Sequence, residues 1–404
     1  MARLGKMVHQ LARYRSQWEG LAKAANSVQT SFESSQATPN RLTEIDGFGP
    51  NLGNLRMYTY VPRNVAPSPA LVVVLHGCTQ TAAGYDHGAG WSTLADRYGF
   101  VLLLPEQQEA NNPNRCFNWF QPGDIERDRG EAASIRQMIE RAARDHAVDR
   151  KRVFVTGLSA GGAMTSTMLA AYPDVFAGGA IVAGLPYRCA TSVAEAFECM
   201  FQGQTRSARE WGDLVRGASR HEGPWPKVSV WHGSMDATVK HMNAGEIIKQ
   251  WTDVHGLPSS ASRDEVVDGY PRRIWTNSAG EDVLEEYVIT GMAHGTPLAT
   301  GSGENSYGAA GPFLLEVGIS SSYHIAKFWG LAEESVAAEQ PRENLKTVRQ
   351  EMKPADPKPF SPKERMADHI TARGPRQQED QDWSSVTDIG AVITKALKSA
   401  GLMK

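Results

Sequence analysis

A serine between two glycines is the residue of this sequence best suited to carry out chemistry. Gly157-Leu-Ser159-Ala-Gly161 matches the pattern G-x-S-x-G, in which a sharp turn between a strand and a helix exposes a nucleophilic serine. The neighbouring residues supply that context, because they predict a strand over 151–156 and a helix over 160–171. Glycines are needed where such a turn brings two backbones too close for a Cβ atom. The chain contains 38 glycines, so the motif alone is weak, and its context is what indicates a nucleophile.

An acid that could serve this serine follows a later predicted strand. A serine hydroxyl needs an imidazole to take its proton, and a buried carboxylate orients that imidazole. In this strand–turn–helix architecture the order along the chain is Ser, then Asp or Glu, then His. Asp236 fits because it comes shortly after the predicted strand 228–231. The other aspartates of this region lie in helical or polar surface contexts: Asp213, Asp253, Asp264 and Asp268.

A histidine in a glycine-flanked loop is the predicted general base. His294 follows the predicted strand 283–289, and its glycine neighbours would let the loop carry an imidazole over the edge of the sheet. His324, at the start of the last predicted helix, is the competing candidate. His232 precedes Asp236 and is expected to have a local structural role. Two more histidines follow the acid too closely and fit one helix: His241 and His255.

Two backbone amides are expected to stabilise the oxyanion of the tetrahedral intermediate. One is the amide of Ala160, immediately after the nucleophile, and the other belongs to the loop after the apolar run Leu71–Leu75. In that loop we favour Cys78, with Thr79 as the neighbouring alternative, because Gly77 permits a tight turn. This chemistry needs no metal and no organic cofactor, so none is expected.

Buried strands alternate with helices along the middle of the chain. Leu71–Leu75 is a continuous apolar run, which is typical of a strand covered on both faces. A similar run is predicted to stop at Pro105, and 128–131 resembles a capping box that opens a helix to about Asp145. This alternation predicts an α/β protein with a mostly parallel central sheet and helices on both faces. A long excursion over 184–226 interrupts the pattern.

Composition divides the chain into three parts. Residues 1–50 form an N-terminal extension with an amphipathic helix and a linker, and 51–330 is the predicted catalytic domain. Residues 331–404 combine a charged, proline-rich linker with a C-terminal amphipathic helix. Each terminal helix could contact the surface of a polymer or dock on its own domain, and the pattern leaves both open.

Charge and hydropathy argue against several classes of partner. The net charge of −3 gives no reason to expect nucleic acid, and no apolar run is long enough to span a bilayer. The first 20 residues lack the apolar core and the small-residue cleavage site of a secretion signal. The four cysteines leave the compartment open, because their even number fits disulfides whereas the missing signal argues for thiols.

Five ordered blocks carry a resemblance to a known family. They are His76-Gly-Cys-Thr-Gln80, Arg115-Cys-Phe-Asn-Trp119-Phe, Gly157-Leu-Ser-Ala-Gly-Gly162, His232-Gly-Ser-Met-Asp236 and Gly291-Met-Ala-His294. Together they resemble the poly(3-hydroxybutyrate) depolymerase family of esterases, which is related to feruloyl and acetylxylan esterases. The resemblance covers about residues 55–330, so it is far more specific than the serine motif alone.

The resemblance implies a fold and an activity. The fold is the α/β-hydrolase fold, with Ser159, Asp236 and His294 as the catalytic triad. The activity is ester hydrolysis through an acyl-enzyme, and the expected substrate is a short-chain poly(3-hydroxyalkanoate) polyester or its oligomers. A feruloyl or acetylxylan-type esterase acting on plant polysaccharide esters is the alternative within this class. A non-catalytic protein that coats hydrophobic granules is the alternative from another class, and the intact triad argues against it.

The resemblance also implies positions for the cysteines and the substrate. A bridge at Cys78 would hold the oxyanion loop against the aromatic segment 117–120. Trp119 then becomes a candidate substrate contact, with Thr79 beside it, although a core role for the tryptophan fits equally well. Secreted relatives imply an extracellular or periplasmic location, whereas the missing signal leaves the cytoplasm open. The implied bridges are Cys78–Cys116 and Cys189–Cys199.

Overall fold

A ten-stranded sheet forms the frame of the protein. It is seen in a computed structural model of the chain, in which residues 40–332 are described. The helices and linkers predicted near the two ends of the chain lie outside this range, apart from 40–50 and 331–332. The strands of this sheet and of a small second sheet are, in chain order, β1 Thr43–Glu44, β2 Arg56–Tyr60, β3 Leu71–Leu75, β4 Val101–Glu106, β5 Val153–Leu158, β6 Gly178–Val182, β7 Lys227–Gly233, β8 Arg263–Val267, β9 Tyr270–Thr276, β10 Asp282–Ile289, β11 Thr296–Leu298 and β12 Leu314–Glu316.

Parallel pairing dominates the centre of the large sheet. The strand order is β1-β2-β4-β3-β5-β6-β7-β10-β9-β8, and the strands from β4 to β10 in this order run parallel. Antiparallel strands complete each edge, with β1 and β2 on one side and β9 and β8 on the other. β11 and β12 form a separate two-stranded sheet. The predicted mostly parallel α/β sheet is therefore confirmed.

Helices cover both faces of the sheet. Within residues 40–332 they are α1 Ala82–Ala89, α2 Trp91–Tyr98, α3 Pro122–Ile125, α4 Gly130–Asp145, α5 Ala160–Ala171, α6 Val193–Phe201, α7 Ala208–Arg216, α8 Met242–His255 and α9 Ser321–Phe328. No helix in this part of the chain has the length and apolar character needed to cross a bilayer. The side chains of β3 show why helices lie on both faces of the sheet. One hydrophobic cluster contains Leu71, Val73 and Leu75, and the other contains Val72 and Val74. Successive strand residues point to opposite faces, so a strand that is apolar throughout needs a core on each side.

The sheet extends further than the sequence indicated at one edge. β4 does not stop at Pro105 but continues to Glu106. A proline is tolerated there because β3 pairs with β4 only as far as Leu103, so the last residues of β4 have β2 as their one strand neighbour. β1 pairs with β2 and belongs to the stretch predicted as an extension, so the sheet begins before residue 51.

The excursion over 184–226 contains two helices that pack beside the serine helix. α6 begins at the N-cap Ser192, and α7 begins with a capping box formed by Ser207 and Glu210. Trp211 of α7 is fully buried, and its indole nitrogen donates a hydrogen bond to Glu246 of α8 at 2.6 Å. This excursion is therefore a folded layer over one end of the sheet.

The helix predicted from a capping box begins without one. α4 starts after Arg129, whose side chain makes no capping bond, and Asp128 has a φ of 63°. The Glu131 side chain does not return to the helix N-terminus, because its carboxyl is buried among residues of the preceding loop. The amide of Glu131 lies instead 3.3 Å from Oδ1 of Asp124. The predicted end of this helix, at Asp145, is confirmed.

Candidate active site

The turn between β5 and α5 holds Ser159 in a strained conformation. Ser159 has φ 58° and ψ −115°, a region that residues other than glycine rarely occupy. Its amide donates a hydrogen bond to the carbonyl oxygen of Val182, at the end of β6, over 2.9 Å. Backbone strain persists only where the surrounding structure enforces it. Here the neighbouring strand enforces it, and the turn lifts the hydroxyl from the edge of the sheet.

Two glycines of the motif allow the backbone contacts that this turn requires. A Cβ on Gly161 would lie 2.3 Å from the carbonyl oxygen of Leu75 and 2.5 Å from that of His76. A Cβ on Gly157 would lie 2.5 Å from the carbonyl carbon of Gly161. The obstructing atoms belong to the backbone, so they cannot move aside as a flexible side chain would. The requirement for glycine at both positions is confirmed.

Replacing Gly161 should damage both stability and activity. In Gly161→Ala the added methyl would overlap two carbonyl oxygens, and overpacking of this kind costs about 1–3 kcal/mol of unfolding free energy. Gly245→Ala is the matched control, because Gly245 lies within α8 and a Cβ there would meet nothing within 4 Å. The control should be unchanged or more stable by up to about 1 kcal/mol. Thermal unfolding measures the stability of both variants. An unaltered melting temperature for Gly161→Ala would contradict the packing argument.

Three side chains from distant parts of the chain form one hydrogen-bonded line. Nε2 of His294 lies 2.9 Å from Oγ of Ser159, and Nδ1 of the same ring lies 2.7 Å from Oδ2 of Asp236. Asp236 follows β7, and His294 follows β10, which is the parallel neighbour of β7. The carboxyl ends of parallel strands meet at one edge of a sheet, so their loops converge there. The competing His324 lies elsewhere, with its Nε2 2.8 Å from Oδ2 of Asp268.

The surroundings of Asp236 keep its carboxylate charged. Oδ1 accepts hydrogen bonds from the amides of Thr238 at 2.9 Å and Val239 at 2.8 Å. Burial raises the pKa of Asp236, but the facing His294 and hydrogen bonds from His232 and His294 outweigh it and hold that pKa well below its usual range. A permanent carboxylate keeps the proton of His294 on Nδ1, which leaves Nε2 able to accept the proton of a serine.

His232 secures the turn that carries the acid. Its Nε2 lies 2.8 Å from the carbonyl oxygen of Val239 and 3.3 Å from Oδ2 of Asp236. The ring is almost completely buried, and its Nδ1 has no hydrogen-bond partner among residues 40–332. The local structural role predicted for His232 is therefore confirmed.

One amide of the loop after β3 is left without an acceptor. The amide of Gly77 donates to Oε1 of Gln80 at 2.8 Å, and the amide of Thr79 donates to the carbonyl oxygen of Asn114 at 2.7 Å. Cys78 lies between them, and its amide has no hydrogen-bond acceptor within the described residues. Of the two candidates in this loop, the amide of Cys78 is thus the one free to donate to a bound ligand.

The amide of Ala160, the residue after the serine, is likewise available to a bound ligand. Ala160 is the first residue of α5, so its amide has no acceptor within the helix. The loop after β3 passes close to this helix start, because the carbonyl groups of Leu75 and His76 contact Gly161. A carbonyl oxygen bound beside Ser159 could receive both amides, which is the arrangement that stabilises an oxyanion.

The structure contains one of the two implied disulfides. Cys78 is bonded to Cys116, whereas Cys189 and Cys199 are buried thiols. The implied second bridge is therefore corrected. The Cys199 thiol donates a hydrogen bond to the carbonyl oxygen of Cys189 at 2.9 Å, so its sulfur interacts with the backbone instead of forming a covalent bond. Burial raises the pKa of the Cys189 thiol, which keeps it protonated and unreactive.

A thiol count distinguishes these two pairs of cysteines. Unreduced native protein should show no reactive thiol towards a chromogenic thiol reagent, because Cys189 and Cys199 are buried. Denaturation without reductant should expose both of them, and reduction should add the two sulfurs of the Cys78–Cys116 bridge. A Cys189→Ala/Cys199→Ala double variant should show no thiol before reduction. If the denatured, unreduced wild type also shows none, the second bridge exists and the structural assignment is wrong.

The two predicted substrate contacts are largely buried. Trp119 is 6% exposed and belongs to a hydrophobic cluster that includes Ala160. Its ring packs edge-on against Phe120, with the ring centroids 5.4 Å apart. Thr79 is 3% exposed, and its hydroxyl has no hydrogen-bond partner in the part of the chain that the structure describes. Trp119 thus packs in a hydrophobic cluster with Ala160, the residue after the serine. Direct contact of Trp119 or Thr79 with substrate stays a prediction.

Sequence reasoning did not single out two residues beside the triad. Phe313 packs edge-on against His294, with ring centroids 5.9 Å apart, and its φ of 61° is unusual for an aromatic residue. It reaches the site through the pairing of β11 with β12, which no local pattern reveals. Met235 precedes Asp236 and is 68% exposed, so it lies open to solvent next to the acid.

The fold and the site together define a class of enzyme. A mostly parallel sheet with helices on both faces, and a serine, an acid and a histidine in this order, characterise the serine hydrolases of the α/β-hydrolase fold. Within the described part of the chain, no group of three or more His, Cys, Asp or Glu side chains could hold a metal ion. The chain belongs to the esterase PHB depolymerase family, whose match covers residues 56–265.

Relatives in this family are esterases. Poly(3-hydroxyalkanoate) depolymerase C of Paucimonas lemoignei is 48% identical over 72% of this chain and 70% of that protein. Acetylxylan esterase of Coprinopsis cinerea is 35% identical over 64% of this chain and 70% of its own, and feruloyl esterase B of Talaromyces funiculosus is 30% identical over 63% and 73%. The solved structure of acetyl xylan esterase from Aspergillus awamori matches 72% of this chain and 99% of its own with a TM-score of 0.62 and 26% identity. The chain is accordingly a serine-type esterase.

Proposed function

We propose that this esterase hydrolyses short-chain poly(3-hydroxyalkanoate) polyester or its oligomers. The observation that carries the chemistry is the line from Ser159 through His294 to Asp236, with its distances of 2.9 and 2.7 Å. The substrate class is supported by the 48% identity to a poly(3-hydroxyalkanoate) depolymerase, which exceeds the 35% and 30% identities to the acetylxylan and feruloyl esterases.

Acylation begins when Nε2 of His294 takes the hydroxyl proton as Oγ of Ser159 bonds to the ester carbonyl carbon. Negative charge then develops on the carbonyl oxygen, and the amides of Cys78 and Ala160 donate hydrogen bonds to it. Asp236 stabilises the imidazolium that results. The imidazolium gives its proton to the leaving alkoxide oxygen as the ester C–O bond breaks, which releases an alcohol and leaves an acyl-enzyme.

Deacylation repeats these steps with water as the nucleophile. His294 takes a proton from the water while the water oxygen bonds to the acyl carbon, and the same two amides hold the second oxyanion. The proton then passes to Oγ of Ser159 as the acyl bond breaks. The products are a carboxylic acid, which ionises at neutral pH, and the regenerated hydroxyl.

An exposed methionine supports contact with an apolar substrate. Met235 is 68% exposed and is adjacent in sequence to the acid of the triad. A thioether side chain is apolar and flexible, so it adapts to irregular partners such as a polyester chain. Sugar-linked esters would place polar hydroxyl groups against the same surface.

The disulfide supports an extracellular or periplasmic location. The bridge between Cys78 and Cys116 lies in the loop that carries one oxyanion amide. Disulfides persist in oxidising compartments and are rare in the cytosol, where thiols are kept reduced. Catalysis that depends on this loop would therefore work best outside the cytoplasm.

A feruloyl or acetylxylan-type activity on plant polysaccharide esters is the second candidate. It is supported by the TM-score of 0.62 to an acetyl xylan esterase. A granule-binding protein without catalysis is not supported, because such a role would not need a serine, an imidazole and a carboxylate within hydrogen-bond distance.

Ser159→Ala should abolish ester hydrolysis. Loss of the nucleophile removes the acyl-enzyme route, and kcat/KM should fall by at least about 10⁴-fold. Ser278→Ala is the matched control, because Ser278 is exposed in the turn between β9 and β10.

The substrates are polyhydroxybutyrate film, hydroxybutyrate oligomers, ethyl ferulate and acetylated xylan. We expect the wild type to act fastest on the first two; unchanged hydrolysis by Ser159→Ala would refute the chemistry, and activity on xylan or ferulate alone would refute the substrate.

The second part of the proposal is that the helices predicted near the two ends of the chain contact the surface of the polymer. They lie outside residues 40–332, which the structure describes. A chain ending at Ala332 should keep full activity on soluble oligomers, because it retains the triad, both oxyanion amides and the buried Leu331 and Ala332. The same shortened chain should adsorb less to polyhydroxybutyrate film in a sedimentation assay. Equal adsorption of the two chains would contradict a polymer contact by residues 333–404.

A further inference from the structure

A buried carboxyl lies behind the loop that carries the amide of Cys78, and the mechanism above does not use it. Glu131 is the second residue of α4 and is 1% exposed. Its Oε1 accepts a hydrogen bond from Nε2 of Gln107 at 2.5 Å, and its Oε2 accepts one from the amide of Asn118 at 2.9 Å. Both partners belong to the long loop after β4. The carboxyl therefore attaches that loop to the start of a helix.

Gln107 extends this attachment to two further points. Its Nε2 also donates to the carbonyl oxygen of Cys116 at 3.1 Å, and its backbone amide donates to Nε2 of His76 at 3.1 Å. Burial lowers the pKa of His76 to about 4, so the ring is neutral and its Nε2 can accept. The proton then lies on Nδ1, which donates to the carbonyl oxygen of Gly77 at 2.7 Å.

The loop after β3 is fixed to the same segment by two more bonds. The disulfide joins Cys78 to Cys116, and the amide of Thr79 donates to the carbonyl oxygen of Asn114 at 2.7 Å. The first bond holds the side chain of Cys78 itself, and the second holds the amide of the next residue. The position of that amide therefore depends on the loop after β4, and the position of that loop depends on Glu131.

Burying a carboxyl with neutral partners is costly, and an apolar side chain would serve packing alone at least as well. Among residues 40–332 Glu131 has no basic partner: the charged group that faces it is Asp124 of α3, and its loop partners are neutral amides. Burial, followed by Asp124, raises the pKa of Glu131 to about 8 against the opposing hydrogen bonds of Asn118 and Gln107. A group kept at such a cost is expected to serve geometry.

We propose that Glu131 is a positioning residue for the oxyanion hole, acting through Gln107 and the Cys116–Asn118 segment on the amide of Cys78. This inference rests on the proposed function, since it assumes that the amide of Cys78 binds the oxyanion. Glu131 does not touch the substrate. Its removal should let the loop shift and lengthen one of the two hydrogen bonds that form in the transition state.

Glu131→Ala should lower kcat about 10- to 100-fold, because loss of a complete oxyanion donor costs about 10²- to 10³-fold and this donor is only displaced. KM for a soluble ester should change less than about threefold, since the bond strengthens only in the transition state. Affinity for a boronic acid, which forms a tetrahedral adduct on Ser159, should fall in parallel with kcat. Rates are normalised to active serines counted with an organophosphonate, so that misfolded protein does not contribute.

Three further variants separate positioning from general stability. Glu131→Gln keeps the size of the side chain but has one acceptor oxygen in place of two, and its NH2 group would face an N–H donor of Gln107 or Asn118, so its kcat should fall between those of the wild type and Glu131→Ala. Glu140→Ala changes a half-buried glutamate of the same helix that pairs with Arg136 and Arg150, and it should leave kcat unchanged. Gln107→Ala breaks the same relay from its other end and provides the test if Glu131→Ala does not fold. The double variant Glu131→Ala/Gln107→Ala should be no slower than the worse single variant, because the two act through one path.

Several results would overturn the inference. Glu131→Ala or Gln107→Ala with wild-type kcat per active serine would do so, as would losses that multiply in the double variant. Ser159→Ala is measured alongside: if it is inactive while Glu131→Ala is normal, the inference alone fails. If Ser159→Ala stays active, the proposed function fails and this inference falls with it.

Discussion

The contact between Gly161 and the carbonyl groups at the end of β3 is the constraint on which the rest of the site depends. It brings the start of the serine helix against the loop that carries Cys78, with no room for a single extra carbon atom. Protein interiors are packed so densely that such a contact fixes both partners. The two free amides, of Cys78 and Ala160, belong to the two segments that this contact joins. The spacing of the proposed oxyanion hole is thus a property of backbone packing.

Two buried carboxyls show how surroundings decide the state of the same chemical group. Asp236 faces an imidazole and accepts two backbone amides, so its charge is compensated and its pKa is held low. Glu131 meets neutral amides and a second acid, and its pKa is raised to about 8. One carboxyl therefore supplies charge to the reaction, whereas the other supplies hydrogen-bonding shape to a loop. Burial alone would not distinguish them, because both are almost fully enclosed.

Much of this arrangement follows from local sequence. The run Leu71–Leu75 and the helix Ala160–Ala171 have the predicted bounds, because continuous apolar residues and a small-residue helix start leave few alternatives. Ser159, Asp236 and His294 converge because each follows the end of a parallel strand. The pairing state of Cys189 and Cys199 and the approach of Phe313 to His294 depend on tertiary packing, which no local pattern encodes.

Glu131 shows the same limit of local sequence patterns at the start of a single helix. The spacing of 128–131 matches a capping box, and a sequence pattern cannot reveal that the carboxyl has stronger partners in a distant loop. Tertiary hydrogen bonds have replaced a local one. Pro105 is a similar case, since its place in β4 is tolerated because the pairing of β3 with β4 ends at Leu103.

The hydrogen bond between Ser159 and His294 joins residues 135 positions apart, across strands β5, β6, β7 and β10. Contacts of such long sequence separation form late in folding, because the entropy of closing the intervening chain must be overcome first. No fragment that lacks either half of the sheet contains a nucleophile together with its base. Hydrolysis therefore reports the assembly of β5, β6, β7 and β10, and a chain in which β10 has not yet joined β7 should be inactive.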